Sequence, residues 1–85
     1  MLNIMIVEDE PPIARSLKRM IDSFGSAYSV AADARNGRDA LYLLEQAQKE
    51  IDVMFIDIRM PVMDGLALMN EVSERYPSIA IVVIS

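Results

Sequence analysis

Residues 52–65 read Asp52-Val53-Met54-Phe55-Ile56-Asp57-Ile58-Arg59-Met60-Pro61-Val62-Met63-Asp64-Gly65. A short apolar run stops at a carboxylate, and a loop with Pro61 and the pair Asp64-Gly65 follows. A bounded apolar run of this length reads as a buried strand. The Asp-Gly pair reads as a turn and helix-start signal. Beyond it Leu66, Met69, Val72 and Tyr76 recur at helical spacing, and Pro77 closes the helix. The unit is a strand, an acidic corner and a helix.

Working outward, the same plan recurs. Asn3 to Val7 is an apolar run that ends in Glu8-Asp9-Glu10 and then Pro11-Pro12. Two prolines end a strand and are tolerated in a helix's first turn. Ile13, Ala14, Leu17, Met20, Ile21 and Phe24 then keep helical spacing, and Gly25 supplies a stop. Tyr28 to Ala32 predicts another strand. Asn36-Gly37 punctuates, with Asn36 as N-cap and Asp39 in the first turn, and Ala40, Leu41, Leu44 and Ala47 lie on one helix face. Ile79 to Ile84 is a last continuous apolar run. Strands apolar along their length, alternating with amphipathic helices, predict an α/β fold with a parallel sheet covered on both faces.

The chain has 85 residues, enough for one domain. Its 13 acidic against 8 basic residues give a net charge of −5. That excess argues against direct contact with nucleic acid or an anionic membrane and suits cations or a basic partner. There is no cysteine and no histidine, which excludes disulfides, thiolate zinc sites and histidine-dependent hydrolases. Any chemistry runs on carboxylates, hydroxyls, Lys, Arg and backbone. The N-terminus lacks the basic flank of a signal peptide, and no apolar run nears the roughly 20 residues of a membrane span. A cytoplasmic location is the default expectation. The seven methionines read as core filler.

Ligands of an open α/β sheet bind beyond the carboxyl ends of its strands. Those ends carry Glu8 and Asp9, Asp57 and Ser85. If the first and third strands are neighbours, three carboxylates converge, and like charges that close call for a cation. With hard oxygen ligands only, magnesium is the natural choice. An aspartate beside that ion is a reasonable phosphoryl acceptor. An Asp after a strand also serves as a turn former or N-cap. The joint arrangement favours the chemical reading for Glu8, Asp9 and Asp57. Asp64 is read as structural, and Ser85 fits a plain loop hydroxyl equally well.

Three segments carry a resemblance. Ile-Met-Ile-Val-Glu-Asp-Glu at 4–10, Phe-Ile-Asp-Ile-Arg-Met-Pro-Val-Met-Asp-Gly at 55–65 and Ile-Val-Val-Ile-Ser at 81–85 closely resemble the response-regulator receiver domain of two-component signalling. The resemblance implies a flavodoxin-like three-layer sheet with strand order 2-1-3-4. It implies that Asp57 is the phosphoacceptor and that Glu8, Asp9, Asp57 and the backbone carbonyl of Arg59 hold Mg2+, with Asp9 a direct ligand. Ser85 matches the hydroxyl that turns toward the phosphoryl group. The region Ile13 to Leu17 matches the surface that docks a histidine kinase or phosphotransfer protein.

The family's fifth strand, its flanking helices and its conserved lysine have no counterpart here. Residues 1–85 are therefore expected to be a partial receiver domain, truncated after the fourth strand, whose parent carries an output domain, DNA-binding in many such regulators. The alternative is a fragment inactive in phosphotransfer that forms a homodimer through its exposed fourth strand. A magnesium-dependent phosphohydrolase is disfavoured, because Ile58 and Arg59 supply no second carboxylate after Asp57.

Overall fold

Apolar runs and punctuation resolve into seven elements in a computed structural model that describes residues 1–47, 50–60 and 63–84. They are β1 (Leu2–Val7), α1 (Pro11–Asp22), β2 (Tyr28–Ala34), α2 (Gly37–Gln46), β3 (Val53–Ile56), α3 (Gly65–Arg75) and β4 (Ala80–Val83). The strands form one parallel sheet in the order β2-β1-β3-β4. This is the α/β flavodoxin-like arrangement expected from the resemblance.

The two-residue period of β1 sorts its side chains into two cores. Met5 and Val7 point to one face, where they meet Met54 and Ile56 of β3, Ala40 and Leu44 of α2, and Leu68 and Val72 of α3. Ile4 and Ile6 point to the other, where Ala14 and Ile21 of α1 cover them. All four β1 residues are buried, as a strand covered on both faces requires.

Local chemistry sets the helix starts. Pro11 and Pro12 occupy the first turn of α1. The Asn36 carboxamide accepts from the Asp39 amide at 2.8 Å and caps α2. The Asp64 carboxylate accepts from the Ala67 amide at 2.9 Å and caps α3, so the structural reading of Asp64 holds. Gly25 adopts φ +96°, a left-handed conformation that glycine takes without penalty. Replacing Asp64 by Ala is expected to cost about 1 kcal/mol through the lost cap, checked by urea denaturation.

Several expectations need correction. Of the six apolar residues read onto the first helix, Phe24 lies beyond its end at Asp22, and the five within α1 do not share a buried face. Ala14 and Ile21 are buried and Leu17 partly so, whereas Ile13, Met20 and Phe24 are exposed. Ala14, Leu17 and Ile21 lie on the side of the apolar arc that faces the sheet, and Ile13 and Met20 lie on its outer side. In α3 the inward residues are Leu68 and Val72, with Met69 and Tyr76 beside them, and Leu66 is 61% exposed. α2 ends at Gln46, which leaves Ala47 outside it and exposed. β2 runs to Ala34 rather than Ala32 because its backbone keeps pairing with β1 through Val7. The sheet is not covered on both faces throughout: Val82 and Val83 of the edge strand β4 are exposed. Pro61 and Ser85 lie outside the described residues.

Candidate functional site

β1 and β3 are adjacent and parallel, with Val7 opposite Ile56. The next residues, Glu8 and Asp57, therefore leave the sheet side by side at its carboxyl edge. Backbone bonds extend the pairing past the strand ends. The Asp57 amide donates to the Val7 carbonyl at 3.0 Å, and the Glu8 amide donates to the Ala34 carbonyl at 3.0 Å. The sheet thus delivers the carboxylates of Glu8, Asp9 and Asp57 to one place, with one oxygen of each inside a 4.8 Å span.

The three differ in environment. Glu8 is buried, and it is the single buried charged side chain among the described residues. One of its oxygens accepts from the Glu10 amide at 3.1 Å. Asp9 is half-buried. Asp57 accepts from the Arg59 amide at 3.0 Å, which closes a local turn through one of its oxygens. The turn-former role is thus real for Asp57 and coexists with its place in the cluster. Burial pushes the Glu8 carboxyl up to about 7, aided by its hydrogen bond to the Asp9 side chain and the charge of Asp57. The Glu10 amide pulls the other way without reversing this.

Such a set fits a small hard cation. All three donors are carboxylate oxygens, and two oxygens on one magnesium ion lie at most about 4.2 Å apart. Closing the observed span needs only a small inward movement of the side chains. Asp64 takes no part, because its carboxylate is spent on the α3 cap. Arg59 lies beside Asp57 in the turn, with its side chain exposed.

Two glycines hold the loop after β3. A Cβ on Gly65 would run into the Asp57 carbonyl oxygen at 2.7 Å and the Ile58 Cα. The start of α3 therefore rests directly on the backbone that carries Asp57. A Cβ on Gly37 would meet the Met63 carbonyl oxygen and Cγ, both at 2.7 Å, so the α2 start abuts the same loop. Met63 itself has φ 53°, in the left-handed region. The Asp-Gly pair marked a turn in the sequence, but only the fold reveals what touches its glycine.

Sequence reading missed Arg35. It sits between β2 and α2, and its guanidinium donates to the Glu8 carbonyl at 3.1 Å. Its partner is 27 residues away, so no local pattern announces the bond.

Comparison with known proteins agrees with this geometry. Residues 4–85 match the model of the response regulator receiver domain. The chain is 38% identical over 82 residues to a protein-glutamate methylesterase/protein-glutamine glutaminase of Hahella chejuensis, covering 96% of this chain and 22% of that protein. It is 32% identical over 81 residues to the positive alginate biosynthesis regulatory protein of Pseudomonas aeruginosa, covering 95% and 32%. The chain thus spans about a third or less of these relatives. Among solved structures, the REC domain of AraT, a response regulator from Geobacillus stearothermophilus, superposes with a TM-score of 0.84 at 34% identity, covering 96% of this chain and 62% of that one. The isolated REC domain of RcsB from Salmonella enterica, solved with phosphomimetic BeF3-, gives 0.87 at 20% identity, covering 96% and 59%, a likeness of fold alone.

Proposed function

Because the chain belongs to the response regulator receiver family, we propose that it is a phosphoacceptor switch with Asp57 as the acceptor. The observation that carries this reading is the convergence of Glu8, Asp9 and Asp57 at the carboxyl edge of the sheet. The donor is a phosphohistidine on a histidine kinase or phosphotransfer protein. A carboxylate oxygen of Asp57 bonds to phosphorus as the phosphorus–nitrogen bond breaks. The bonding pair stays on the imidazole nitrogen, which takes up a proton from solvent.

Glu8, Asp9, Asp57 and the Arg59 carbonyl would hold Mg2+. Bound there, the ion supplies positive charge that offsets the phosphoryl oxygens. The turn bond from the Arg59 amide orients the Asp57 carboxylate. The Ser85 hydroxyl, outside the described residues, turns toward the phosphoryl group and passes the change on. Ile13, exposed near the start of α1, offers an apolar contact to the kinase. An output domain elsewhere in the parent protein reads the switch, and the likeness to the alginate biosynthesis regulatory protein makes a gene-regulatory, DNA-binding output the leading choice. No helix among the described residues is long and apolar enough to cross a membrane, which accords with a cytoplasmic site of action.

Incubation with Mg2+ and a small phosphodonor such as acetyl phosphate tests the reading. Intact mass is expected to rise by one phosphoryl group, and Asp57→Asn is expected to abolish the gain. Uptake that persists in the variant, or folded Mg2+-bound wild type that takes up nothing, overturns it.

A further inference from the structure

Both backbone polar groups of Glu8 are held by the end of β2 and the residue that follows it. Its amide donates to the Ala34 carbonyl at 3.0 Å. Its carbonyl accepts from Nη1 of Arg35 at 3.1 Å. That carbonyl belongs to the peptide joining Glu8 to Asp9, and the peptide is planar. Holding its oxygen therefore fixes the plane from which Asp9 projects.

Arg35 is itself braced. Nη1 and Nη2 donate to the two oxygens of Asp33 at 2.7 and 3.0 Å, a forked pair that sets the guanidinium plane. The Arg35 amide donates to the Asp39 carboxylate at 3.2 Å. Asp39 in turn donates its own amide to the Asn36 cap. The residue is anchored at its base and at its tip.

We propose that Arg35 is a positioning residue for the cation site: braced by Asp33, it holds the Glu8 carbonyl and so sets the direction in which Asp9 presents its carboxylate. This rests on the reading of Glu8, Asp9 and Asp57 as the magnesium site. The sign of the effect separates positioning from charge. A guanidinium near the site repels a cation, and removing it also leaves Asp33 unpaired. Coulomb's law alone therefore predicts that a neutral residue at 35 tightens Mg2+ binding. Positioning predicts that it weakens binding, because groups that orient metal ligands typically carry 10–100-fold in affinity.

Calorimetric Mg2+ titration at fixed ionic strength decides between them, run on wild type, Arg35→Met, Arg35→Gln and Arg35→Lys. The Arg35 side chain is 41% exposed, and the two neutral variants give two chances of a folded protein. Each folded neutral variant is expected to bind about tenfold more weakly or worse. Arg35→Lys is expected to recover most of the affinity, because one ammonium can make both bonds that Nη1 makes. Arg75→Met, which breaks the pair with Glu45 between α3 and α2, is expected to leave Mg2+ affinity unchanged. Neutral variants that bind as tightly as wild type or tighter overturn the assignment, as does a lysine variant no better than methionine. Absence of Mg2+ binding by wild type overturns the site reading and this inference together.

Discussion

Gly65→Ala is expected to destabilise the protein and to slow phosphoryl uptake at Asp57 by tenfold or more. Helix propensity predicts the opposite sign, since alanine is favoured over glycine inside a helix by about 1 kcal/mol. Space decides against it. The new Cβ meets the Asp57 carbonyl oxygen at 2.7 Å and the Ile58 Cα, both backbone atoms with no rotamer to yield. Either α3 lifts from the sheet or the Asp57–Ile58 segment shifts. The bond from the Gly65 amide to the Ile58 carbonyl, 3.2 Å long, strains in both cases. Overpacking of this kind costs about 1–3 kcal/mol. A reacting group displaced by about an ångström can lose a hundredfold in rate. Urea denaturation and timed intact-mass measurements read the two effects. Gly25→Ala is the control: a Cβ there meets nothing within 4 Å, and the cost comes from its φ of +96° alone. That variant should lose some stability and keep full uptake. Gly65→Ala with wild-type stability and uptake would remove the claim that this contact holds Asp57 in place.

The second large effect is a fall in stability of the metal-free protein as pH rises. Burial raises the Glu8 carboxyl from an ordinary 4.5 to about 7 in the folded state. Below 4.5 the group is protonated in both states. Between 4.5 and 7 the unfolded chain releases this proton while the folded chain keeps it. The stabilisation held at low pH is thus lost as pH climbs through about 7. The loss reaches at most about 3 kcal/mol. In a domain this small, each kcal/mol moves Tm by about 4–8 °C. Thermal melts in EDTA are therefore expected to give a Tm at least several degrees lower at pH 8 than at pH 5.5. Saturating Mg2+ is expected to restore much of the loss at pH 8, because the ion favours the ionised carboxylates. Glu8→Gln should flatten the pH dependence and remove most of the Mg2+ effect. A metal-free Tm that rises over this range would show that Glu8 does not hold its proton.

Legibility in the sequence followed the range of the interaction. Strands and helix starts are local matters, and Val53–Ile56, the Asn36 cap and the Asp64 cap could be read directly. Strand order could not: β1 pairs with β3 across dozens of residues, and the order came from the resemblance. Helix faces fell between these limits. Leu66 keeps helical spacing with Met69, yet the face that turns inward is centred on Leu68 and Val72. Leu68 and Val72 face Met54 and Ile56 of β3 in the core, and spacing within α3 alone carries no trace of that partner. The carboxylates at strand ends were visible because sheet topology converts their positions into proximity. The Arg35 bond stayed hidden because nothing in Ala34-Arg35-Asn36-Gly37 separates a structural cation from a solvated one.

The placement of β1 has a consequence for synthesis. It leaves the ribosome before the other three strands, yet it lies inside the sheet between β2 and β3 and must receive partners on both edges. The bond that joins its start to the start of β3, from the Asn3 amide to the Asp52 carboxylate, spans 49 residues. At about 5–20 residues per second, β1 waits about 2–10 s for that neighbour. During that interval Ile4, Met5, Ile6 and Val7 have at most α1, β2 and α2 to cover them, and β3 and α3 are still missing. Nascent chains paused before residue 53 should therefore expose a sticky strand, and the codons up to β3 set how long a chaperone has to find it.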